Sequence, residues 1–414
     1  MPKTRNDSKT HIAPIPRISV QGFLESNDVV AVVESAANDR RMIKAHVKVH
    51  IGGVPAAVEA YRNSPTPNLI VLESSADRSV LFEQLALLAE CCDSGTKVMV
   101  IGHENDILLY RELISRGVSD YIVAPMNILD FIGHISALYN GESSETLGRV
   151  IAVVGAKGGV GASTVCHNLA WSISRQLALQ TVLVDLDLAF GTVGLDFNQD
   201  PPQGIAEAIF SPERLDANFI DRLASRCSDT LSILPAPATL DRSYDLSEHA
   251  VDATLDILRA TTPCVILDVP HQWCAWTRRV LVGCDDVVIV ASPDLANLRN
   301  TKTLIDSLNA SRLNDHPPRL ILNMVGLPRR PEISLGEFTK AMEMEPLGVI
   351  PFEARLFGAA ANNGQMLAEV DPRSKIIETI DDAGQLLMGR AIVRRGKKPL
   401  LAPFIERLSR MKAS

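Results

Sequence analysis

No apolar run in this sequence approaches the roughly 18 residues that a membrane-spanning helix needs. Met1 to Arg17 is polar, carries two prolines and lacks an apolar core, so no secretory signal is expected there. Cysteine occurs seven times but never as C-x-x-C and never clustered with histidine. That spacing argues against a zinc site and against a disulfide framework, and it fits a reducing cytoplasm. The vicinal pair Cys91 and Cys92 falls in an expected helix and reads as packing. An excess of positive charge is missing too. A net charge of −8 argues against a protein whose whole surface binds nucleic acid.

What is present is enough for two or three domains with ordinary cores: 414 residues, 46% hydrophobic and 22% charged. The stretch that organises the chain is 150–164, Val-Ile-Ala-Val-Val-Gly-Ala-Lys-Gly-Gly-Val-Gly-Ala-Ser-Thr. Val150 to Val154 reads as a buried parallel strand. The glycines Gly155, Gly158, Gly159 and Gly161 follow, then a helical stretch from Ser163 to Leu177. Strand, glycine loop and helix make a phosphate cradle, because glycines let backbone N–H groups turn inward and the helix start adds a positive dipole end. Ser163 stands where such a loop's hydroxyl holds Mg²⁺, and Thr164 can reach a phosphate.

The usual loop of this kind reads G-x-x-x-x-G-K-[ST]. Here the first position is Ala156, the lysine position before the hydroxyl is Ala162, and the only lysine is the early Lys157. The pattern K-G-G-x-G-x-[ST] resembles the deviant Walker A box of the MinD/ParA ATPases. The spelling from Lys157 through Thr164 is similar to one branch, the CpaE/TadZ proteins of Tad (Flp) pilus assembly. Most members keep the second lysine, which this chain lacks. Further motifs follow in the family's order. Thr181 to Asp187 is a strand ending in D-x-D, with aspartates expected on opposite faces; Cys264 to Pro270 is an apolar strand ending in D-x-P; Arg319 to Asn323 ends in an amide; and Leu347 to Phe352 contains Pro351.

The resemblance implies that ATP and Mg²⁺ bind across Ala156, Lys157, Gly158, Gly159, Val160, Gly161, Ala162, Ser163 and Thr164. It implies that Asp187 orients the attacking water and that Asp268 holds Mg²⁺ through water. Asn323 would meet the adenine edge, Pro351 would line the base pocket, and Lys157 would reach the partner's nucleotide in an ATP-closed homodimer. Trp273 and Trp276 fall in the second switch region, where an interface and a packed helix start both remain open readings.

Between Arg17 and about Asn140 the chain alternates strands and helices. Strands are expected at Ile18–Leu24, His46–Ile51, Asn68–Glu73, Lys97–Gly102 and Asp120–Val123, with five helices between and after them. That spacing predicts a doubly wound parallel sheet. The phrase from Arg116 to Pro125 resembles the end of a response-regulator receiver. The phospho-accepting aspartate of that family is replaced by Glu73, its lysine by Ala124, its hydroxyl by Gly102, and its acidic pair is reduced to Glu25. A receiver fold kept for docking or dimerisation, without phosphoryl chemistry, is therefore expected.

The reading is an α/β protein of two doubly wound parallel-sheet domains: a flexible arm (1–16), a degenerate receiver-like domain (17–140), a linker (141–148), a MinD/ParA-like ATPase domain (149–390) and a basic amphipathic tail (391–414). The tail suits either contact with an anionic membrane or a solvated, partner-docking role. The resemblance implies a cytoplasmic slow ATPase switch in pilus assembly, peripheral at the inner membrane or cell pole and meeting pilus proteins through the receiver-like domain. Two alternatives stand beside it: a ParA-like partition ATPase on DNA, which the net charge disfavours, and a nucleotide-binding scaffold without turnover.

Overall fold

Five apolar runs, each followed by a helix, build the first sheet of the computed structural model, which describes residues 12–140, 147–237, 239–240 and 243–390. The strands are β1 (Ser19–Leu24), β2 (His46–Ile51), β3 (Leu69–Glu73), β4 (Lys97–Gly102) and β5 (Asp120–Val123), in the order β2-β1-β3-β4-β5 and parallel at every pairing. Central β3 is buried along its whole length, as a strand covered on both faces must be. Alternate residues serve opposite cores: Leu69 and Val71 pack with Phe131 and Ile135, while Ile70 and Leu72 pack with Val54 and Leu113. Helix Arg78–Ala89 stops earlier than expected, so Cys91 and Cys92 lie beyond it, half-buried against the second of these cores.

At the carboxyl end of β3, Glu73 is fully buried and its charge is met by donors. Its carboxylate accepts from the amides of Glu25 (2.7 Å) and Ser26 (2.9 Å), the Ser26 hydroxyl (2.6 Å) and the His103 ring (3.2 Å). Burial opposes ionisation, but the Ser26, Glu25 and His103 bonds outweigh it and hold the group below the ordinary glutamate value. Tyr121 occupies the space beside Gly102, where any Cβ would meet its ring, and donates its hydroxyl to the Glu104 carbonyl at 2.8 Å.

The second sheet has eight strands: β6 (Arg149–Gly155), β7 (Thr181–Asp185), β8 (Ser225–Arg226), β9 (Leu231–Leu234), β10 (Cys264–Val269), β11 (Asp286–Ala291), β12 (Arg319–Val325) and β13 (Gly348–Pro351). Their order is β13-β12-β11-β6-β10-β7-β9-β8. All pairings are parallel except β8 with β9 at one edge. A tight turn joins those two short strands, and so short a connection permits only an antiparallel pair. Ile151 and Val153 face a core closed by helices Ala162–Gln176 and Lys375–Leu387, while Val150, Ala152 and Val154 face the opposite one. Among the described residues no helix is long and apolar enough to cross a membrane. The tail at 391–414, residues 141–146 of the linker expected at 141–148 and residues 1–11 of the arm expected at 1–16 lie outside the described residues, whereas Ile15 of that arm is buried in the first core and its amide donates to the Arg41 carbonyl at 2.8 Å.

Charge joins the two sheets. Arg40, in a short 3₁₀ turn (Arg40–Met42) of the first unit, donates to Asp315 (2.5 Å), Asp285 (3.2 Å) and the Gly283 carbonyl (3.0 Å) of the second. Arg41 also pairs with Asp315, and Asn314 donates to Asp39 at 2.9 Å. Asp285 in turn accepts from Arg259 and from the amide of Val150 (2.9 Å), at the start of β6. The Arg40, Asp285 and Asp315 side chains are only 5–6% exposed. Burial opposes the Arg40 charge, but its two aspartates raise the guanidinium's proton affinity above the usual arginine range.

Candidate nucleotide site

The loop after β6 is shaped from outside. Three of its carbonyls are held by side chains of other elements: Gly155 accepts from His271 Nδ1 (2.8 Å), Ala156 from Asn300 (2.9 Å) and Val160 from Asn323 (2.8 Å). Gly159 and Gly161 take positive φ, +77° and +79°, a conformation that favours glycine. A Cβ at Gly161 would lie 2.6 Å from Asn323 Nδ2, whereas Gly158 and Gly159 face open space. Gly161 also caps helix Ala162–Gln176 and offers no side-chain acceptor to its first amides. The helix therefore begins with unmet N–H donors aimed at whatever the loop surrounds, which is the physics of an anion site.

Lys157 is exposed at the loop's crest and makes no side-chain hydrogen bond or ion pair among the described residues. The carboxylate it approaches is Asp294, held below its usual range against burial by Asn297 and, more weakly, by the Lys157 charge. The Ser163 and Thr164 hydroxyls are likewise without a protein partner among the described residues. Ser163 and Asp268 supply hard oxygen donors suited to Mg²⁺. No three-residue metal cluster exists among the described residues, so phosphate and water would complete any such ion's shell.

Asp268 is the penultimate residue of β10, 3% exposed, and pairs in register with Asp185 of β7. The strand β7 ends at Asp185, so Asp187 has already left the sheet, and the alternation expected of D-x-D gives way to a turn. Asp185 accepts from the amides of Asp187 and Val193, both at 3.1 Å, and Asp187 accepts from the Phe190 amide at 3.1 Å. A Cβ at Gly191 would strike the Asp185 carboxylate, so glycine is required where the turn closes. Burial and the adjacent Asp268 charge push Asp185 up to about 7.

His167 had drawn no attention in the sequence. It is fully buried, with Nδ1 2.6 Å from Asp196 and Nε2 3.2 Å from Asp268. Burial opposes its charge, but the bonds to Asp196 and Asp268 push the ring up to about 10. Only its place four residues after Ser163, on the same helical face, could have flagged it.

A cavity of about 290 Å³ opens beside the helix start, lined by Gly161, Thr164, Asn323, Pro351 and Phe357 among others. Asn323 enters it from a β-bulge, where pairing of β12 with β13 shifts between Leu322 and Val325 and Met324 takes φ +56°. A second cavity of about 460 Å³ lies behind the loop, between His271, Trp273 and Arg299. Of the two tryptophans that follow β10, Trp276 is core and Trp273 is 52% exposed.

A family model described as an AAA domain matches residues 148–316. The septum site-determining protein MinD of Bacillus subtilis (strain 168) is 23% identical over 261 residues, spanning 59% of this chain and 91% of its own length. The solved ParA family ATPase from Chlorobium tepidum TLS is 25% identical, with a TM-score of 0.52, over 57% of this chain and 98% of that one. Residues 148–316 thus match an AAA domain, and the chain is similar over this region to MinD and ParA-type ATPases. The loop, the D-x-D turn and Asp268 lie within the matched residues, and the Asn323 bulge follows them. A solved pilus assembly protein CpaE from Caulobacter crescentus CB15 is 45% identical over 31% of this chain and 98% of its own, with a TM-score of 0.30.

Proposed function

We propose that the protein binds ATP with Mg²⁺ at the loop 156–164, closes into a homodimer around it, and hydrolyses it slowly as a switch. The observation that carries this reading is the loop itself. Three of its carbonyls are tied outward, Gly158 and Gly159 face open space, and its one lysine is unpaired among the described residues. In this reading the amides of the loop and helix start bind phosphate, and Ser163 and Asp268 hold the metal site, Asp268 through water. Bound Mg²⁺ would neutralise phosphate charge. Asp187 aligns water by accepting its proton-bearing edge, and the cavity bordered by Asn323 and Pro351 takes the base. Lys157 is free to reach a second copy's phosphates. Phe190, Trp273 and Leu295, all more than half exposed, supply apolar surface that a closed dimer would cover.

The role in Tad pilus assembly rests on the loop's spelling, and the first α/β unit is read as a receiver-like docking module without phosphoryl chemistry. The saturated Glu73 supports that, since its carboxylate oxygens are already committed to protein donors. The test of the ATP switch is sedimentation of the purified chain with ATP and Mg²⁺, with phosphate release followed in the same sample. A monomer-to-dimer shift with slow release is expected, and no shift would refute the switch. A gel shift with duplex DNA at physiological salt separates this reading from a partition ATPase on DNA.

A further inference from the structure

The buried imidazole that joins two parts of the site has no part in the reading above. His167 lies one helical turn after Ser163, so the two share a face of helix Ala162–Gln176. One ring nitrogen faces Asp268, on the metal side. The other faces Asp196, the last residue of the short helix Val193–Asp196. Thr192 adds its hydroxyl to the same Asp196 oxygen at 3.4 Å.

The segment from Asp187 to Asp196 is therefore anchored at both ends. Asp185 grips the amide of Asp187 at its start and that of Val193 further on, and His167 grips Asp196 at its finish. Between these anchors Leu188 and Val193 are buried in the cores, while Phe190 and Leu195 are left 74% and 73% exposed. Polar anchors add to this packing, and one of them runs through His167 directly to Asp268. We propose that His167 is a positioning residue, a buried brace through which order at Asp268 and the phosphate loop is passed to the segment carrying Asp187. Both carboxylates can only accept, so the ring must donate at both nitrogens, and a side chain able to donate at one position cuts the brace. The proposal rests on the nucleotide reading of the loop.

Hydrogen–deuterium exchange of the full chain, with and without ADP and Mg²⁺, tests it. In the wild type the nucleotide should slow exchange at both 157–164 and 186–197. In His167→Gln, whose amide replaces the Nε2 donor only, 157–164 should stay protected. Protection at 186–197 should fall about tenfold or more, the scale of one lost charge-assisted hydrogen bond. Asp196→Ala cuts the same arm at a partly exposed residue and should do the same, so the test survives if His167→Gln fails to fold. Wild-type protection at 186–197 in both variants would overturn the brace. Failure of ADP and Mg²⁺ to protect 157–164 in the wild type would instead overturn the nucleotide reading, and the brace with it.

Discussion

Two single residues carry tests that need no knowledge of partners. Glu73 is the first. Four donors meet its carboxylate, and an amide in its place would turn an NH₂ group towards some of them. Glu73→Gln is expected to cost about 1.5–3 kcal/mol, the range for a hydrogen bond to a charged group. The group's folded-state pKa is depressed, so its contribution is complete above the ordinary value of 4.5 and is lost as pH falls through the lower folded value. Urea unfolding at neutral pH should therefore separate wild type from variant, and the difference should close in acid. A gap that widened in acid would mean that the glutamate is buried neutral. Lys157 is the second. Lys157→Ala should weaken ATP-dependent dimerisation about tenfold to a hundredfold, one charge-assisted phosphate contact, and by more than Ala162→Lys changes it. Normal dimerisation of Lys157→Ala, measured by sedimentation with ATP, would end the case for a lysine acting across the dimer.

At the scale of elements, the joint between the sheets is the feature to test. Arg40 is buried against Asp285 and Asp315, and removing one member of such a cluster leaves charge uncompensated. Arg40→Ala should cost about 3–5 kcal/mol. Arg40→Lys should recover only part of that, because one ammonium cannot reproduce the fork to two aspartates and a carbonyl. Chemical unfolding with limited proteolysis between the sheets checks both, and a loss below about 1 kcal/mol would show that the joint adds nothing beyond a surface pair. None of this network was visible in the sequence, because Arg40 and Asp315 stand 275 positions apart and carry no local signal. The strands were legible both from alternation and from apolar runs: the alternating β2 and the more apolar β4 and β5 begin and end where the pattern places them. The β8–β9 edge was not, because two- and four-residue strands carry too little periodicity. In the site, the loop and the aspartates could be read because close backbone approach restricts residue choice. The holders of the loop could not. Asn300 and His271 act through carbonyls, which any residue supplies, and the bulge that aims Asn323 follows from Met324 adopting a conformation its side chain does not announce.

For the whole molecule the question is whether it runs as a motor or waits as a switch. Ala162 leaves the cradle without the cation that ordinarily stands before the hydroxyl, while the loop amides, Ser163 and Lys157 remain. Binding should survive on those. Charge builds on the transferring group and its leaving oxygen during reaction, so a missing cation weakens the transition state more than the bound ground state. Losing one such stabiliser typically lowers a rate by about 10²–10³. Lys157 can offset this only from a second copy: it projects from its own loop as an exposed side chain, with Asp294 as its near carboxylate. Turnover should therefore be well below about 1 s⁻¹, the low end for ordinary enzymes, and should rise with protein concentration as dimers form. Asp187→Ala should keep ATP binding, abolish release of phosphate and leave the dimer long-lived, because the residue that aligns water is separate from those that hold the nucleotide. Steady-state phosphate release at about 1 s⁻¹ or faster by the wild type would refute the switch. The concentration series distinguishes the two causes of slowness, since a vacancy filled in trans gives a rate that climbs with dimer fraction and an unfilled one gives a rate that stays flat.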